Sequence, residues 1–136
     1  MTAARYDDSE WPLVIVTMPK SAMSREEFEA HLARVASYYP RGAFGLLIDT
    51  RDAFPLDANQ RRLVADEIER NEMRYPRTML GCAVVMTSAV QRGVLRAIKW
   101  LTSPKFELEP FADAAEAKSW LRSKLGASPA RATRSA

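Results

Sequence analysis

Four consecutive polar residues, Asp49, Thr50, Arg51 and Asp52, are the group in this sequence best suited to carry chemistry. They follow an apolar run in FGLLIDTRDAFPLDANQRR, which spans residues 44–62. Carboxylates at the end of a buried strand could accept a phosphoryl group or hold a metal ion, and a threonine beside an arginine could be phosphorylated or contact a ligand. An ordinary buried strand also reaches water through such residues. The sequence leaves both interpretations open.

The partners that an aspartate-based enzyme needs are missing around this turn. A phosphoacceptor of the receiver type requires an acidic pair after the first strand, where this chain has MPKSAMS. A nucleophile of the haloacid-dehalogenase type requires DxD, whereas Asp49 and Asp52 are three residues apart. The glycines are too scattered to form a phosphate-binding loop. We therefore predict no enzymatic activity, no cofactor and no metal site.

Histidine and cysteine occur once each, and neither is placed for catalysis. His31 lies beside the apolar stripe of the first predicted helix, so we expect a partly exposed boundary residue. Cys82 lies in LGCAVVM, a run that predicts a strand covered on both faces. We expect a buried, inert thiol there. A single cysteine also rules out a disulfide within the chain.

The net charge of +3 has an uneven distribution that argues against nucleic-acid binding. Five of the 20 basic residues and none of the 17 acidic ones lie after residue 116, so the rest of the chain is slightly negative. Residues 126–136, GASPARATRSA, predict a disordered basic tail. The sequence contains neither a membrane-spanning apolar stretch nor a signal peptide, and we expect a cytoplasmic protein.

Apolar periodicity predicts alternating strands and helices over residues 1–125. Strands are expected in WPLVIVTMP, FGLLIDT, MLGCAVVMT and FELEPF, with a weaker one near residues 5–10. Helices follow each of the four clear strands, and the first carries a capping box of Ser24 and Glu27. This order predicts a single-domain α/β sandwich, with a mostly parallel sheet of four to five strands covered by about four helices.

The helix expected over residues 88–101 combines two surfaces. Val90, Val94 and Ile98 mark its predicted inner side, and Arg92, Arg96 and Lys99 form a basic ridge on the other. Such a ridge is typical of a solvated helix face, although it could meet an acidic partner. Apolar residues off the inner stripes of the helices could form a homodimer contact: Leu63, Met73 and Leu95.

The order of these elements resembles the SpoIIAA-like proteins of the STAS/SEC14-like class, where STAS denotes the sulfate transporter and anti-sigma-factor antagonist domain. The resemblance runs through LVIVTMPKSAMSREEFEAHL, FGLLIDTRDAF and TMLGCAVVMTS, and is most specific in the closing FELEPFADAAEAKSWL. It covers about residues 10–125. It implies a small α/β sandwich without enzymatic activity of its own.

The resemblance implies two kinds of function. Anti-sigma-factor antagonists bind a kinase partner through a turn with a phosphorylatable serine, and Asp49 and Thr50 fall at the comparable position, although RDAFPLD departs from that motif. We therefore expect a regulatory or protein-interaction module that docks through residues 49–62. Its candidate docking residues are Asp49, Thr50, Arg51, Asp52, Arg61 and Arg62. The alternative is a SEC14-like carrier of a lipid or small apolar ligand beneath the helices.

Overall fold

A computed structural model describes residues 4–126 and shows the predicted alternation of strands and helices. Five strands and four α-helices occur in chain order: β1 Arg5–Glu10, β2 Leu13–Thr17, α1 Arg25–Ala36, β3 Phe44–Asp49, α2 Ala58–Arg74, β4 Met79–Val85, α3 Ala89–Leu101, β5 Glu107–Phe111 and α4 Ala114–Gly126. A short 3-10 turn at Tyr39–Arg41 precedes β3. The predicted tail begins at Gly126, which ends α4, and its remaining residues 127–136 lie outside the described part.

The sheet has the strand order β1-β2-β3-β4-β5 and is mixed rather than wholly parallel. Strands β2 to β5 are parallel, and β1 pairs with β2 in the antiparallel direction. One row across the parallel strands consists of Val14, Leu46, Cys82 and Leu108. The α/β class and the helix count are confirmed. The weakly signalled strand at residues 5–10 is real, and its exposed-to-half-buried alternation is that of an edge strand.

The two faces of the sheet are covered differently. Helix α4 alone covers one face and lies close to it, because Gly45 and Gly81 leave room for Leu121 and Trp120. Helices α1, α2 and α3 cover the other face, and α2 contacts its neighbouring helices more closely than any of the three approaches the sheet. The helix layer formed by α1, α2 and α3 therefore stands off from the strands beneath it.

Capping boxes fix the starts of these three helices. Ser24 accepts from the backbone N–H of Glu27 at α1, Asp57 from that of Gln60 at α2, and Ser88 from that of Gln91 at α3. In each case the side chain of that third residue accepts a hydrogen bond from the backbone N–H of the capping residue. Each box satisfies backbone donors that the first helical turn leaves unpaired, so the chain enters each helix at a defined residue beside the carboxyl edge of the sheet.

The inner side of α3 was predicted only in part. Val94 and Ile98 face inward as expected, but Val90 is 61% exposed, and Leu95, expected to lie off the inner stripe, is buried at 7%. The inward stripe is Gln91, Val94, Leu95 and Ile98, and the Gln91 side chain on it bonds to the carbonyl of Thr50. Leu95 is therefore a core residue and not a homodimer contact.

Between residues 4 and 126, the helices all fall short of the length and apolar character needed to cross a membrane.

Candidate functional site

A cavity of about 170 Å³ lies between the sheet and the helix layer of α1, α2 and α3. Leu46 and Ile48 on β3, Cys82 and Val84 on β4, and Leu108 on β5 form its floor. Its walls and roof come from the inner faces of the helices: Phe28, His31, Leu32 and Val35 on α1, Val64, Glu67, Ile68 and Asn71 on α2, and Gln91, Val94, Leu95 and Ile98 on α3. The lining is predominantly apolar.

The rim of this cavity at the carboxyl edge contains the segment that the sequence singled out. Met18, Thr50 and Met86 directly follow β2, β3 and β4 and line that end. The loop over residues 50–56 contributes Phe54, which is 53% exposed, and Leu56. In parallel sheets, ligands characteristically bind beyond the carboxyl ends of the strands. The candidate docking turn is therefore also the rim of the cavity.

Asp49 and Arg51 form an ion pair with two hydrogen bonds at the same strand end, and neither residue lines the cavity. Arg51 donates from Nε to Oδ1 of Asp49 at 3.0 Å and from its terminal nitrogen to Oδ2 at 2.8 Å. These bonds hold the pKa of Asp49 below its ordinary value. The ion pair of Arg51 is thus with Asp49 and not with Asp52, which is exposed.

Thr50 is more constrained than an exposed regulatory threonine would be. It is half-buried, and its hydroxyl donates to the backbone carbonyl of Val85 at 2.8 Å. β4 runs beside β3 and offers that carbonyl at the strand end. Thr50 lines the cavity, so the structure places it nearer to a ligand-contact position than to a free phosphorylation site.

The two arginines at the start of α2 differ in their surroundings. Arg61 is half-buried and donates to the carbonyl of Leu56 at 2.8 Å, which ties the loop to the helix. Arg62 is exposed. The structure thus gives Arg61 a role in holding the rim and leaves Arg62 on the surface.

The basic ridge on α3 lies on the outer face of that helix, away from the cavity lining. Arg92 and Arg96 are exposed, and Trp100 beside them is 84% exposed. Lys99 donates to the carbonyl of Leu108 at 3.1 Å, so it also joins α3 to β5. The structure does not bring this ridge together with the turn at residues 49–52.

His31 is buried, contrary to the expected boundary position. It is 7% exposed, it lines the cavity, and the hydroxyl of Tyr6 lies 2.6 Å from its Nδ1. Burial lowers the pKa of His31 to about 4, so the ring is neutral near pH 7. The burial of His31 was not predicted because the sequence signal for β1 is weak. That strand supplies Tyr6 and covers this side of α1.

Cys82 is buried as expected, and it lies on the cavity floor. Burial raises the pKa of its thiol to about 12, which is the opposite of the shift found in reactive cysteines. No group of three or more histidine, cysteine, aspartate or glutamate side chains within residues 4–126 could hold a metal ion.

The cavity itself was not predicted from residue types. The sequence did contain a signal, because His31, Glu67 and Asn71 lie on the inward sides of α1 and α2, where uninterrupted apolar packing would be expected. Polar groups on an inner helix face often mark a binding pocket.

No protein-family model and no curated protein matches the chain. A solved structure does: an uncharacterized protein of the DUF3478 family from Shewanella loihica, described as having a SpoIIAA-like fold. It is 17% identical, with a TM-score of 0.59, and the match covers 88% of this chain and 92% of that one. At this identity the likeness concerns the fold alone. The resemblance seen in the sequence is confirmed at that level: the chain has a SpoIIAA-like fold.

Proposed function

We propose that this protein is a cytoplasmic, non-enzymatic binding module of the STAS-like kind that takes a small apolar ligand between its sheet and helices α1, α2 and α3. The observation that supports this most strongly is the apolar cavity of about 170 Å³. Well-packed interiors contain few voids larger than a water molecule, so a space of this size in a chain of 136 residues is exceptional.

The energy of an empty cavity favours a ligand. Its apolar lining lacks the contacts that packed neighbours would provide, and covering apolar surface stabilises a protein by about 25 cal/mol per Å². An apolar molecule that fills the space restores the missing contacts and stabilises the folded chain by mass action.

The rim gives the ligand a route of entry. The 50–56 loop lines the cavity and carries the exposed Phe54. Thr50 bonds to Val85, the Phe54 N–H donates to the carbonyl of Pro19, and the side chains of Gln91 and Arg61 bond to the carbonyls of Thr50 and Leu56. The opposite face offers no comparable space because α4 packs directly on Gly45 and Gly81. The ligand would therefore enter beside this loop and not beneath α4.

Native mass spectrometry of the protein isolated from its own cells tests this proposal. We expect a retained adduct that organic extraction removes. A Val84→Phe variant, which fills the cavity from its floor, should lose the adduct, whereas Val90→Phe, on the exposed side of α3, should keep it. A bare chain mass, together with no gain in thermal stability on adding small apolar compounds, would contradict the proposal.

A second candidate function, partner docking through residues 49–62, is favoured by the composition of the rim. Phe54 is 53% exposed. In the chain it lies between the charged residues Arg51 and Asp52, which precede it, and Arg62, which follows it. An exposed aromatic among charges is typical of a protein interface. Residues 49–62 would then report the state of the cavity to a protein partner.

The docking hypothesis is tested by capture of a partner with the purified chain. A variant carrying Asp49→Ala and Arg51→Ala should lose the partner, and so should Phe54→Ala. Arg74→Ala, an exposed change at the far end of α2, is the matched control and should retain it. Equal capture by all variants would remove residues 49–62 from the docking surface.

A further inference from the structure

The wall of the cavity carries no positive charge. None of its lining residues is a lysine or an arginine. The ionisable groups that face it are His31 from α1, Glu67 from α2, Cys82 from β4 and Tyr39 from the turn before β3. Burial keeps His31 neutral by lowering its pKa to about 4, and it raises the pKa values of Cys82 and Tyr39. Glu67 pairs with Arg70 at 2.9 Å and adds a negative group to the wall.

An anion would therefore enter this cavity at a high cost. It would lose its hydration without gaining a cationic partner from the lining, and Glu67, whose charge Arg70 compensates in part, offers no attraction. A carboxylate held inside the cavity is therefore disfavoured. The volume favours a small ligand, because a cavity of about 150 Å³ holds a molecule the size of benzene.

One side-chain nitrogen of a cavity-lining residue has no protein partner. The Tyr6 hydroxyl is hydrogen-bonded to Nδ1 of His31. Nε2 of the same ring bonds to none of the residues that the structure describes. In residues 4–126, only the hydroxyl oxygens of Tyr38 and Thr102 are side-chain polar atoms that are both fully enclosed and without a partner. Because Nε2 also has no partner but is not one of these atoms, it is not fully enclosed. Other polar groups of the lining are engaged: Thr50 with Val85, and Gln91 with the backbone of Thr50.

The proton arrangement of this pair decides what Nε2 can bind. A phenolic hydroxyl is a good donor, and when it donates to Nδ1 of a neutral imidazole the ring proton lies on Nε2. The rings of Tyr6 and Phe28 lie 5.9 and 5.8 Å from that of His31 and limit its rotation. With this arrangement Nε2 is a donor on a residue that lines the apolar cavity.

We propose that the ligand is a small, neutral, mainly apolar molecule with one hydrogen-bond acceptor, such as an aromatic or alicyclic ketone, and that Nε2 of His31 donates to that acceptor. This inference rests on the proposed function, because it specifies the occupant of the same cavity. A lone uncompensated donor in an apolar pocket selects for a ligand that carries the matching acceptor.

Three matched probes test the proposal: acetophenone, ethylbenzene and benzoate, which share one ring and differ in the group attached to it. Binding is followed by NMR of the full chain labelled with ¹³C at the methionine methyls. Met18, Met79 and Met86 line the cavity, and Met73, which is 86% exposed, is the internal control. We expect acetophenone to shift the three cavity methyls and leave Met73 unchanged.

The ranking of the three probes by affinity tests the proposed ligand class. Acetophenone should bind about fivefold more tightly than ethylbenzene, as one net hydrogen bond provides, and about a hundredfold more tightly than benzoate. His31→Phe should abolish the preference for acetophenone over ethylbenzene while ethylbenzene still binds. Glu67→Gln should improve benzoate binding relative to acetophenone binding; should either variant fail to fold, the ranking on the unmodified chain decides.

The outcomes separate the two claims. If no probe shifts the cavity methyls, the proposed binding function itself is overturned. If benzoate binds as well as acetophenone, the cavity is a binding site but the neutral class is wrong. Equal binding of acetophenone and ethylbenzene to the unmodified chain would overturn the role of His31.

Discussion

The hydroxyl of Tyr6 lies 2.6 Å from Nδ1 of His31, and this contact joins the edge strand β1 to the inner face of α1. The two residues are 25 positions apart in the chain, and the Arg34 guanidinium lies over the Tyr6 ring at 4.6 Å from its centroid. The contact fixes the ring of a buried, neutral histidine at the cavity wall. The binding proposal depends on this arrangement, and so does the response of the fold to acid.

Stability should fall as the pH is lowered from about 7 towards 4. The folded pKa of His31 is about 4 against an ordinary value of 6.5, so the unfolded chain takes up a proton in this range that the folded chain does not. Unfolding is therefore favoured as pH falls, by about 3 kcal/mol in total once the pH is below 4. Urea unfolding at successive pH values measures the effect.

The His31→Phe variant is the control for this pH dependence. The chain has one histidine, so the variant should show a nearly constant free energy of unfolding between pH 7 and about 5, above the range where carboxylates titrate. An unchanged slope in the variant would show that other groups cause the effect.

Two adjacent tyrosines should respond in opposite directions to loss of their hydroxyls. Tyr38 is 2% exposed and its hydroxyl has no partner, so Tyr38→Phe removes an uncompensated buried group and should raise the free energy of unfolding by about 1 kcal/mol. The Tyr39 hydroxyl is not among the unpartnered buried atoms, and the Asn71 side chain interacts favourably with it, so Tyr39→Phe should lower the free energy of unfolding by about 1 kcal/mol. Denaturant unfolding compares the two, and a loss in both variants would contradict the assignment at Tyr38.

The two glycines beneath α4 should tolerate alanine unequally. A Cβ at Gly45 would lie 3.2 Å from Leu121, which is fully buried and cannot move away, so Gly45→Ala should destabilise the fold by about 1 kcal/mol. A Cβ at Gly81 would lie 3.3 Å from the ring edge of the half-buried Trp120. That ring can shift, and the loss of glycine's backbone freedom offsets the crowding. Gly81→Ala should be close to neutral in thermal unfolding; equal losses would contradict this packing.

Removal of the arginine paired with Asp49 should raise the pKa of Asp49. Arg51→Ala deletes the two hydrogen bonds that stabilise the carboxylate form, and NMR titration of the side-chain carboxyls detects the shift. Asp7 is the matched control, because its pKa is lowered chiefly by the Ser9 hydroxyl and should not change. A constant pKa at Asp49 would show that the ion pair does not persist in solution.

The sequence was sufficient to predict the elements because their signals are local. Capping residues such as Ser24 and Asp57 and runs of β-branched residues act within a few positions. The inner side of α3 could not be predicted in the same way. Its inner stripe includes the polar Gln91, whose partner is the backbone of Thr50, 41 positions away.

The candidate site, too, was predictable only where its sequence signals are local. Residues 49–52 were recognised because they end an apolar strand, and the structure places Thr50 among them in the cavity lining. The cavity and the role of His31 depend on the distance between a helix layer and a sheet, and no spacing of residue types encodes that distance. Long-range packing, and not propensity, determines that part of the molecule.

Xenon binding to crystals of the protein tests the central claim most directly, because xenon enters dry apolar cavities without requiring a hydrogen bond. We expect one xenon site bounded by Ile68, Cys82 and Val84, and its loss in the Val84→Phe variant. A cavity region that takes up no xenon, with the helix layer packed directly onto the strands, would contradict the account.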